Sequence, residues 1–385
     1  MRAQTRSAAP VIVAALRSPI GTAGRSLSAV SAAELAAPVL AAVAGRVPGD
    51  TADADLREVV LGNCMGPGGD VARVAALGAG LPTTVAALTV DRQCASGLAA
   101  IAIGASLLSA ESGLVLAGGV ESVSTAPWRY WPPTSGGEPV RYERAPFAPA
   151  SVGDPDMGPA ADDLARQFSI SRAEQDRYAA RSHARAIATV QARGFDAEIV
   201  PVVGVVRDER PRAGLTQERL ARLRPAFGPG GTSTAGNSCG INDGAAIVAL
   251  ADAATHHRLG APGLRVLATA TAALDPNRPG LSLVPAARHA LERAGLTLDD
   301  IDVIEFNEAF AGQVLACCRA LGLDPERVCP QGGALALGHP WGASGAVLVV
   351  RLFSQLVAQR AGRFGLAAIA AGGGQGVAMV LEALT

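Results

Sequence analysis

The chain repeats its own plan. A strand-like run at 59–61 ends at Gly62 and Asn63, and a second, Val303–Phe306, ends at Asn307. Ala95-Ser96-Gly97 opens one apolar helical stretch and Ala343-Ser344-Gly345 opens another. Residues 114–117 run into Gly118-Gly119, as 366–370 run towards Gly372-Gly373-Gly374. The period is far longer than a solenoid's, so the pattern predicts an internal duplication. Two similar halves packed together leave a crevice, and crevices at strand carboxyl ends are where α/β folds build sites.

Within the first half, 11–15, 59–61, 89–90 and 114–117 read as strands, and Ala32–Ala44 and 97–109 as helices. Such alternation is the α/β pattern. At 385 residues the expectation is more than one domain around a large core. The expected division is 1–122 with 241–264 as one half, 123–240 as an inserted loop domain, and 265–385 as the other half. Residues 126–159 are rich in Pro, Trp, Arg and Tyr with little periodicity, and read as a long functional loop. Residues 162–193 read as an amphipathic helical stretch, in which Ser171 and Glu174 fit a capping box.

Composition excludes several classes. Hydrophobic residues make up 49% of the chain, enough apolar surface to argue against disorder. No run reaches the ~18 apolar residues of a bilayer span, so no membrane role is expected. With 33 basic against 34 acidic residues, the chain lacks the basic excess of a nucleic-acid binder. Cys64, Cys94, Cys239, Cys317, Cys318 and Cys329 form no CxxC pair and no His-rich ligand spacing. That argues against a metal site and against a disulfide framework, and for reduced, cytoplasmic thiols. Only about ten residues precede the first strand, too few for a targeting segment.

Four places are suited to chemistry. Cys94, in Val90-Asp-Arg-Gln-Cys-Ala-Ser-Gly-Leu, follows a strand and begins a helix. A helix N-terminus lowers a thiol's pKa, although the commoner fate of a free Cys is a small buried hydrophobe. His339 stands in a Gly-rich loop before a helix, whereas His183, His256, His257 and His289 sit in charged helical or loop contexts. It is the best base or oxyanion donor. Asn307 closes a strand; its amide suits an oxyanion or a water, and the plain alternative is a helix N-cap followed by Glu308. Gly372 to Gly374 can offer backbone N–H groups to an oxyanion, or form an ordinary turn.

Together these segments resemble the thiolase family. The resemblance runs from Val11-Ile-Val-Ala-Ala-Leu-Arg-Ser-Pro-Ile-Gly to Gly376-Val-Ala-Met. Its most specific parts are the Cys94 segment, Gly118-Gly-Val-Glu-Ser-Val-Ser, Asn307-Glu-Ala-Phe-Ala and Gly338-His-Pro-Trp-Gly-Ala-Ser-Gly. It implies a duplicated αβαβα five-layer fold, a homodimer or homotetramer, and a coenzyme A thioester as substrate, with no permanently bound cofactor. It implies that Cys94 takes the acyl group while His339 accepts its proton. Backbone N–H groups at Cys94 and Gly372 would hold one oxyanion, and His339 with an Asn307-bound water the other. Met157, Phe227, Ala235, Cys239 and Phe310 would line the pantetheine channel.

The sequence also departs from the family. A second catalytic cysteine is usual in Cys-x-Gly-Gly-Gly, and here its place is taken by Ala370. That cysteine moves the proton at the α-carbon, and a positioned acid or base is worth ~10²–10⁴ in rate. Asp156, Cys239, Asp91 and Gln331 also differ from the residues usual at their positions. Three readings follow. One is acyl transfer to carbon with a replacement base such as Cys239, Cys64 or water. The second is acyl transfer from an acyl-CoA or acyl-carrier thioester to an amine, alcohol or other thiol. The third is decarboxylative condensation at a Cys-His-Asn site. Trp128, Tyr130, Trp131 and Phe147 are expected either to wall an acyl pocket or to form an oligomer contact.

Overall fold

The computed structural model describes residues 9–48 and 55–384. The amino-terminal residues considered as a targeting segment lie largely outside them. A ten-stranded mixed sheet organises the chain. Its strands are Val11–Arg17 (β1), Gly21–Thr22 (β2), Leu56–Gly62 (β3), Ala86–Val90 (β4) and Leu114–Glu121 (β5). Arg129–Trp131 (β6) and Val140–Tyr142 (β7) form a separate hairpin. Asn242–Ala251 (β8), Gly263–Ala273 (β9), Val303–Phe306 (β10), Phe364–Ala371 (β11) and Gln375–Leu384 (β12) complete the main sheet.

The sheet order is β10-β11-β12-β9-β1-β8-β5-β3-β4, with β2 beside β8. Read outwards from the β1–β9 junction, β1, β8, β5 and β3 on one side answer β9, β12, β11 and β10 on the other. The junction is short, with Val11 opposite Arg265 and Ile12 opposite Leu264. Strand β4 is paired parallel to β3. Its counterpart in the second half is reduced to one parallel bridge, Ile304 to Val328. The duplication expected from the sequence is therefore a topological fact.

Apolar residues divide into layers accordingly. Ala32–Ala44 (α1) and Val71–Gly78 (α2) cover the outer face of the first half, where Val13, Val59, Leu116 and Ile247 point. Ser31 caps α1 through a reciprocal pair with Glu34. Ser96–Leu107 (α3) lies in the central layer, between inward-facing Val60, Val115 and Val248 of one half and Ile369, Val377 and Met379 of the other. Leu283–Ala294 and Ala311–Leu321 cover the outer face of the second half. The central layer also holds Trp341–Phe353, the duplicate of α3. The order is helix, sheet, helix, sheet, helix, the arrangement the resemblance implied.

Glycine sets how closely the two central helices meet. A Cβ on Gly97 would stand 2.8 Å from Gly342 O, and one on Gly345 would stand 2.5 Å from Leu98 N. The repeated Ala-Ser-Gly triplets thus abut backbone to backbone. The extended run Trp341–Ala358 is long and apolar enough to cross a membrane, but 78% of it is buried in the protein. Its apolarity is that of a core helix clad on all sides.

The intervening region differs in detail from the sequence expectation. The 126–159 excursion contains the β6–β7 hairpin, pinned by Trp131 stacked on Tyr142 with ring centroids 4.6 Å apart. The 162–193 stretch is two helices, Met157–Gln167 (α4) and Arg172–Gln191 (α5). Ser169 takes a positive φ of 51° between them and breaks the run. Ser171 and Glu174 form the expected capping box on α5.

Candidate active site

Cys94 sits on a tight turn between β4 and α3. Gln93, just before it, has φ 48°, a left-handed conformation costly for a non-glycine residue. Three side-chain bonds hold the turn. Gln93 N donates to Asp91 Oδ1 (2.7 Å), Ser96 Oγ donates to Gln93 O (2.6 Å), and Arg92 N donates to Ser96 Oγ (2.7 Å). The Asp91 departure therefore still makes the Asx-type turn that presents the thiol.

Burial pushes the Cys94 thiol up to about 12, with Cys239 nearby adding to the effect. This corrects the expectation of a lowered pKa. Ala95, at the N-cap of α3, carries no capping side chain, and desolvation of a thiolate outweighs the helix dipole. At pH 7 the Cys94 thiol is neutral.

His339 is held from both sides. Its backbone N donates to Asn242 Oδ1 (2.9 Å), and Nδ1 lies 2.6 Å from Ser344 Oγ. Burial lowers the imidazole to about 4, so it is neutral at pH 7. The Asn307 side-chain amide stands 3.5 Å from His339 Nε2. Asn307 is not an N-cap: the helix begins at Ala311 (Ala311–Leu321), because Phe310 remains extended at φ −141°. Its neighbour Glu308 instead accepts from Tyr178 Oη (3.0 Å), Ser182 Oγ (2.7 Å) and Leu335 N (3.2 Å). These bonds lock the strand end to α5 and to the loop before His339.

One narrow cavity collects Cys94, Met157, Asn307, Phe310, Gln313 and Ala370. Thus the structure brings Cys94 and Asn307 together, and Asn307 brings His339. Phe227 adjoins the cavity, lying edge-on to Phe310 with centroids 5.7 Å apart. Cys239 N donates to Ala309 O (2.9 Å), so its segment runs beside the site, and burial pushes its thiol up to about 12. Ala235 is solvent-exposed in the turn closed by Thr234 and Asn237 and does not line this cavity. Gly372 lies in the β11–β12 hairpin turn under the Phe147 ring, where a Cβ would stand 2.4 Å from Cδ2. Gly373 and Gly374, at φ 74° and 76°, complete the turn.

Other expectations need correction. Trp128 is 71% exposed, and Tyr130 and Trp131 are each 49% exposed, so these three do not wall the cavity. Their hairpin projects to solvent, and of the four aromatics only Phe147 folds back over the site. Cys64 lines a different cleft, with Asp70 and Arg129. Asp156 pairs with Arg144 at 3.1 Å and is itself 75% exposed. Gln331 bonds Arg351 and Gln359. His183 is buried and accepts from Arg212 N at 3.2 Å.

Sequence reasoning missed two supporting residues. Ser344 was visible only as part of the repeat, although its place five residues after His339 puts it within reach of the ring. Glu121, in the Gly-Gly-Val-Glu segment, is a buried carboxylate that accepts from Asn63 Nδ2, Cys64 N, Met65 N and Gly342 N, all at 3.0–3.1 Å. It ties the loop after β3 to the start of the His339 helix. Among the described residues no group of three or more His, Cys, Asp or Glu side chains is placed to hold a metal ion.

A layered, duplicated α/β fold with a half-buried Cys and a buried His and Asn at the seam of its halves defines an acyl-transferring class. The chain belongs to the thiolase family: the thiolase N-terminal domain matches residues 10–254 and the C-terminal domain residues 253–383. It is 41% identical to an acetyl-CoA acetyltransferase of Pseudomonas aeruginosa, over 96% of this chain and 98% of that protein. It is 45% identical to a beta-ketoadipyl-CoA thiolase of the same organism, over 96% of this chain and 97% of that one. The crystal structure of the Bacillus anthracis acetyl-CoA acetyltransferase superposes with a TM-score of 0.90 at 38% identity, covering 98% of this chain and 99% of that one. The chain is an acyltransferase.

Proposed function

We propose that this enzyme forms an acyl thioester on Cys94 from an acyl-CoA and passes the acyl group to a carbon acceptor, in a Claisen or retro-Claisen reaction. The observation that carries the reading is the shared cavity of Cys94 and Asn307, with the Asn307 amide 3.5 Å from His339 Nε2. With its proton on Nδ1, donated to Ser344, the imidazole keeps a lone pair on Nε2. The Cys94 proton passes to that nitrogen as sulfur attacks the thioester carbonyl, and coenzyme A leaves with the proton. A thiol and an imidazole that are both neutral at rest avoid a buried ion pair until the acyl carbonyl is in place. Backbone N–H groups at Cys94 and Gly372 stabilise the developing oxyanion, and Asn307 orients a water with His339 for the second thioester oxygen.

Met157, Phe227, Ala235, Cys239 and Phe310 guide the pantetheine arm in this reading, and coenzyme A thioester is a substrate rather than a resident cofactor. The division into 1–122 with 241–264, 123–240 and 265–385 gives each half one share of the chemistry. We further propose a cytoplasmic homodimer or homotetramer. The exposed edge strand β4, with Leu88 exposed, and the aromatic hairpin β6–β7 are the surfaces available for it.

Among the described residues, no titratable side chain other than Cys94 lines the cavity beside Ala370. The α-carbon proton is then moved in this reading by water or by Cys239, which lies outside that lining but near enough to raise the Cys94 thiol, and carbon–carbon chemistry is slow relative to acylation. The test is intact-protein mass spectrometry with acetyl-CoA, followed by addition of acceptors. A gain of 42 Da (the mass of an acetyl group replacing hydrogen, ~42 Da) on Cys94, absent in Cys94→Ala, supports acyl transfer. Loss of that acetyl group only with a carbon acceptor supports the Claisen reading. Loss with an amine or alcohol instead, or carbon dioxide release from malonyl thioesters, overturns it.

A further inference from the structure

We propose that Phe147 is the lid of the acyl site and that Arg144 holds it shut, so that acyl-Cys94 gives its acyl group to the acceptor rather than to water. The proposal rests on the acyl-transfer reading and assigns the exclusion of water to two further residues. Arg144 stands on the excursion between β7 and α4, with its side chain 31% exposed. Its Nη1 donates to Asp154 Oδ1 (2.9 Å), its Nη2 to Asp154 O (3.0 Å) and its Nε to Asp156 Oδ1 (3.1 Å). The guanidinium carbon also lies 4.6 Å from the centroid of the Phe147 ring. Phe147 N donates to the same Asp154 Oδ1 at 3.2 Å. One planar cation thus closes the neck of the loop and carries the ring.

The clasp meets the Cys94 cavity at both ends. Asp156 directly precedes Met157, which lines the cavity. The ring rests on Gly372, two residues beyond Ala370 of the same cavity. A Cβ on Gly372 would stand 2.4 Å from Phe147 Cδ2, and one on Gly373 would stand 2.8 Å from Phe147 O, so a side chain at either place would unseat the loop. A further tether, Asn277 Nδ2 donating to Val152 O at 2.9 Å, ties the loop to the chain just before Pro279 and Gly280, which also line the cavity. The contacts of Arg144 are partly exposed and individually weak, so the lid can lift to admit substrate.

The chemistry explains why a cover is needed. The neutral imidazole that takes the Cys94 proton can equally take one from water. The water oxygen then bonds the acyl carbon, the bond to Cys94 Sγ breaks, the sulfur regains a proton through His339, and the free acid leaves. With Ala370 in place of a second thiol, the acyl group waits longer for a carbon acceptor, and the closed lid keeps hydrolysis from overtaking transfer.

Arg144 acts only through Phe147 and is a positioning residue, so the experiment compares two rates. Full-length wild type, Arg144→Ala, Arg144→Lys and Phe147→Ala are acetylated with saturating acetyl-CoA and freed of coenzyme A by gel filtration. Intact mass then follows the decay of acetyl-Cys94 in buffer. Both alanine variants are expected to lose the acetyl group about fivefold faster than wild type, the worth of an ion pair and ring contact of this exposure. Arg144→Lys keeps the charge but not the planar fork, and falls between. Single-turnover acetylation of Arg144→Ala stays at the wild-type rate, which a loop that merely propped up the site would not allow. Decay at the wild-type rate in both alanine variants, or acylation and decay changing by one factor, overturns the proposal while acetyl labelling leaves the acyl-transfer reading standing. If no acetyl-Cys94 forms in wild type, both fall together.

Discussion

Ser344 Oγ lies 2.6 Å from His339 Nδ1, and Ser344 is the repeat's counterpart of Ser96, whose own hydroxyl braces the turn under Cys94. One serine, copied, braces the Cys94 turn in the first half and the His339 ring in the second. Ser344→Ala is expected to slow Cys94 acylation about tenfold, the cost of one lost orienting bond, while leaving the fold intact. Single-turnover acylation by acetyl-CoA measures it, and an unchanged rate would show that the ring needs no such support.

Restoring the family's second thiol should add what the cavity lacks. Ala370→Cys is expected to raise acetoacetyl-CoA cleavage by ~10²–10⁴ while changing the first acylation step far less. Steady-state cleavage and single-turnover acylation, compared in one preparation, separate the two steps. A variant with no gain in cleavage would mean that another group already moves the α-carbon proton.

The buried thiol should react reluctantly. With Cys94 pushed up to about 12, its alkylation by iodoacetamide is expected to be slow at pH 7 and to climb steadily through pH 10. Peptide mapping of the labelled residue follows it. A rate that levels off below pH 8 would contradict the burial argument.

Acid should weaken the fold through the same imidazole. His339 titrates near 4 when folded against an ordinary value of 6.5, so the unfolded chain binds the proton first. Its contribution is fully present above about pH 6.5 and is lost as pH falls towards 4, amounting to about 3 kcal/mol in total. Between pH 7 and 4.5, His339→Asn should lose about 2–3 kcal/mol less stability than wild type in urea titrations. Parallel losses would place the acid sensitivity elsewhere, with buried His183, also near 4, the next group to vary.

What could be read beforehand followed physical lines. The repeat was legible because close helix contact demands glycine, and Gly97 and Gly345 stand in matching triplets. Cys94, Asn307 and His339 were legible because they fall at strand ends and in glycine-rich loops, where side chains are presented rather than packed. The thiol's acidity was misjudged, since a helix terminus can be seen in sequence but the desolvation around it cannot. The cap remained an alternative for Asn307 because nothing in the sequence announced that Phe310 stays extended. The hairpin aromatics could be read two ways, as an acyl wall or as an oligomer contact, because apolar character alone does not say which way a loop folds.

The meeting of Gly97 with Gly342 and of Gly345 with Leu98 has one more implication. The sulfur belongs to the first repeat, while the imidazole and the amide belong to the second. Two separately expressed fragments, parted near residue 260, would each be inert, and activity would return only as they clasp at these glycines.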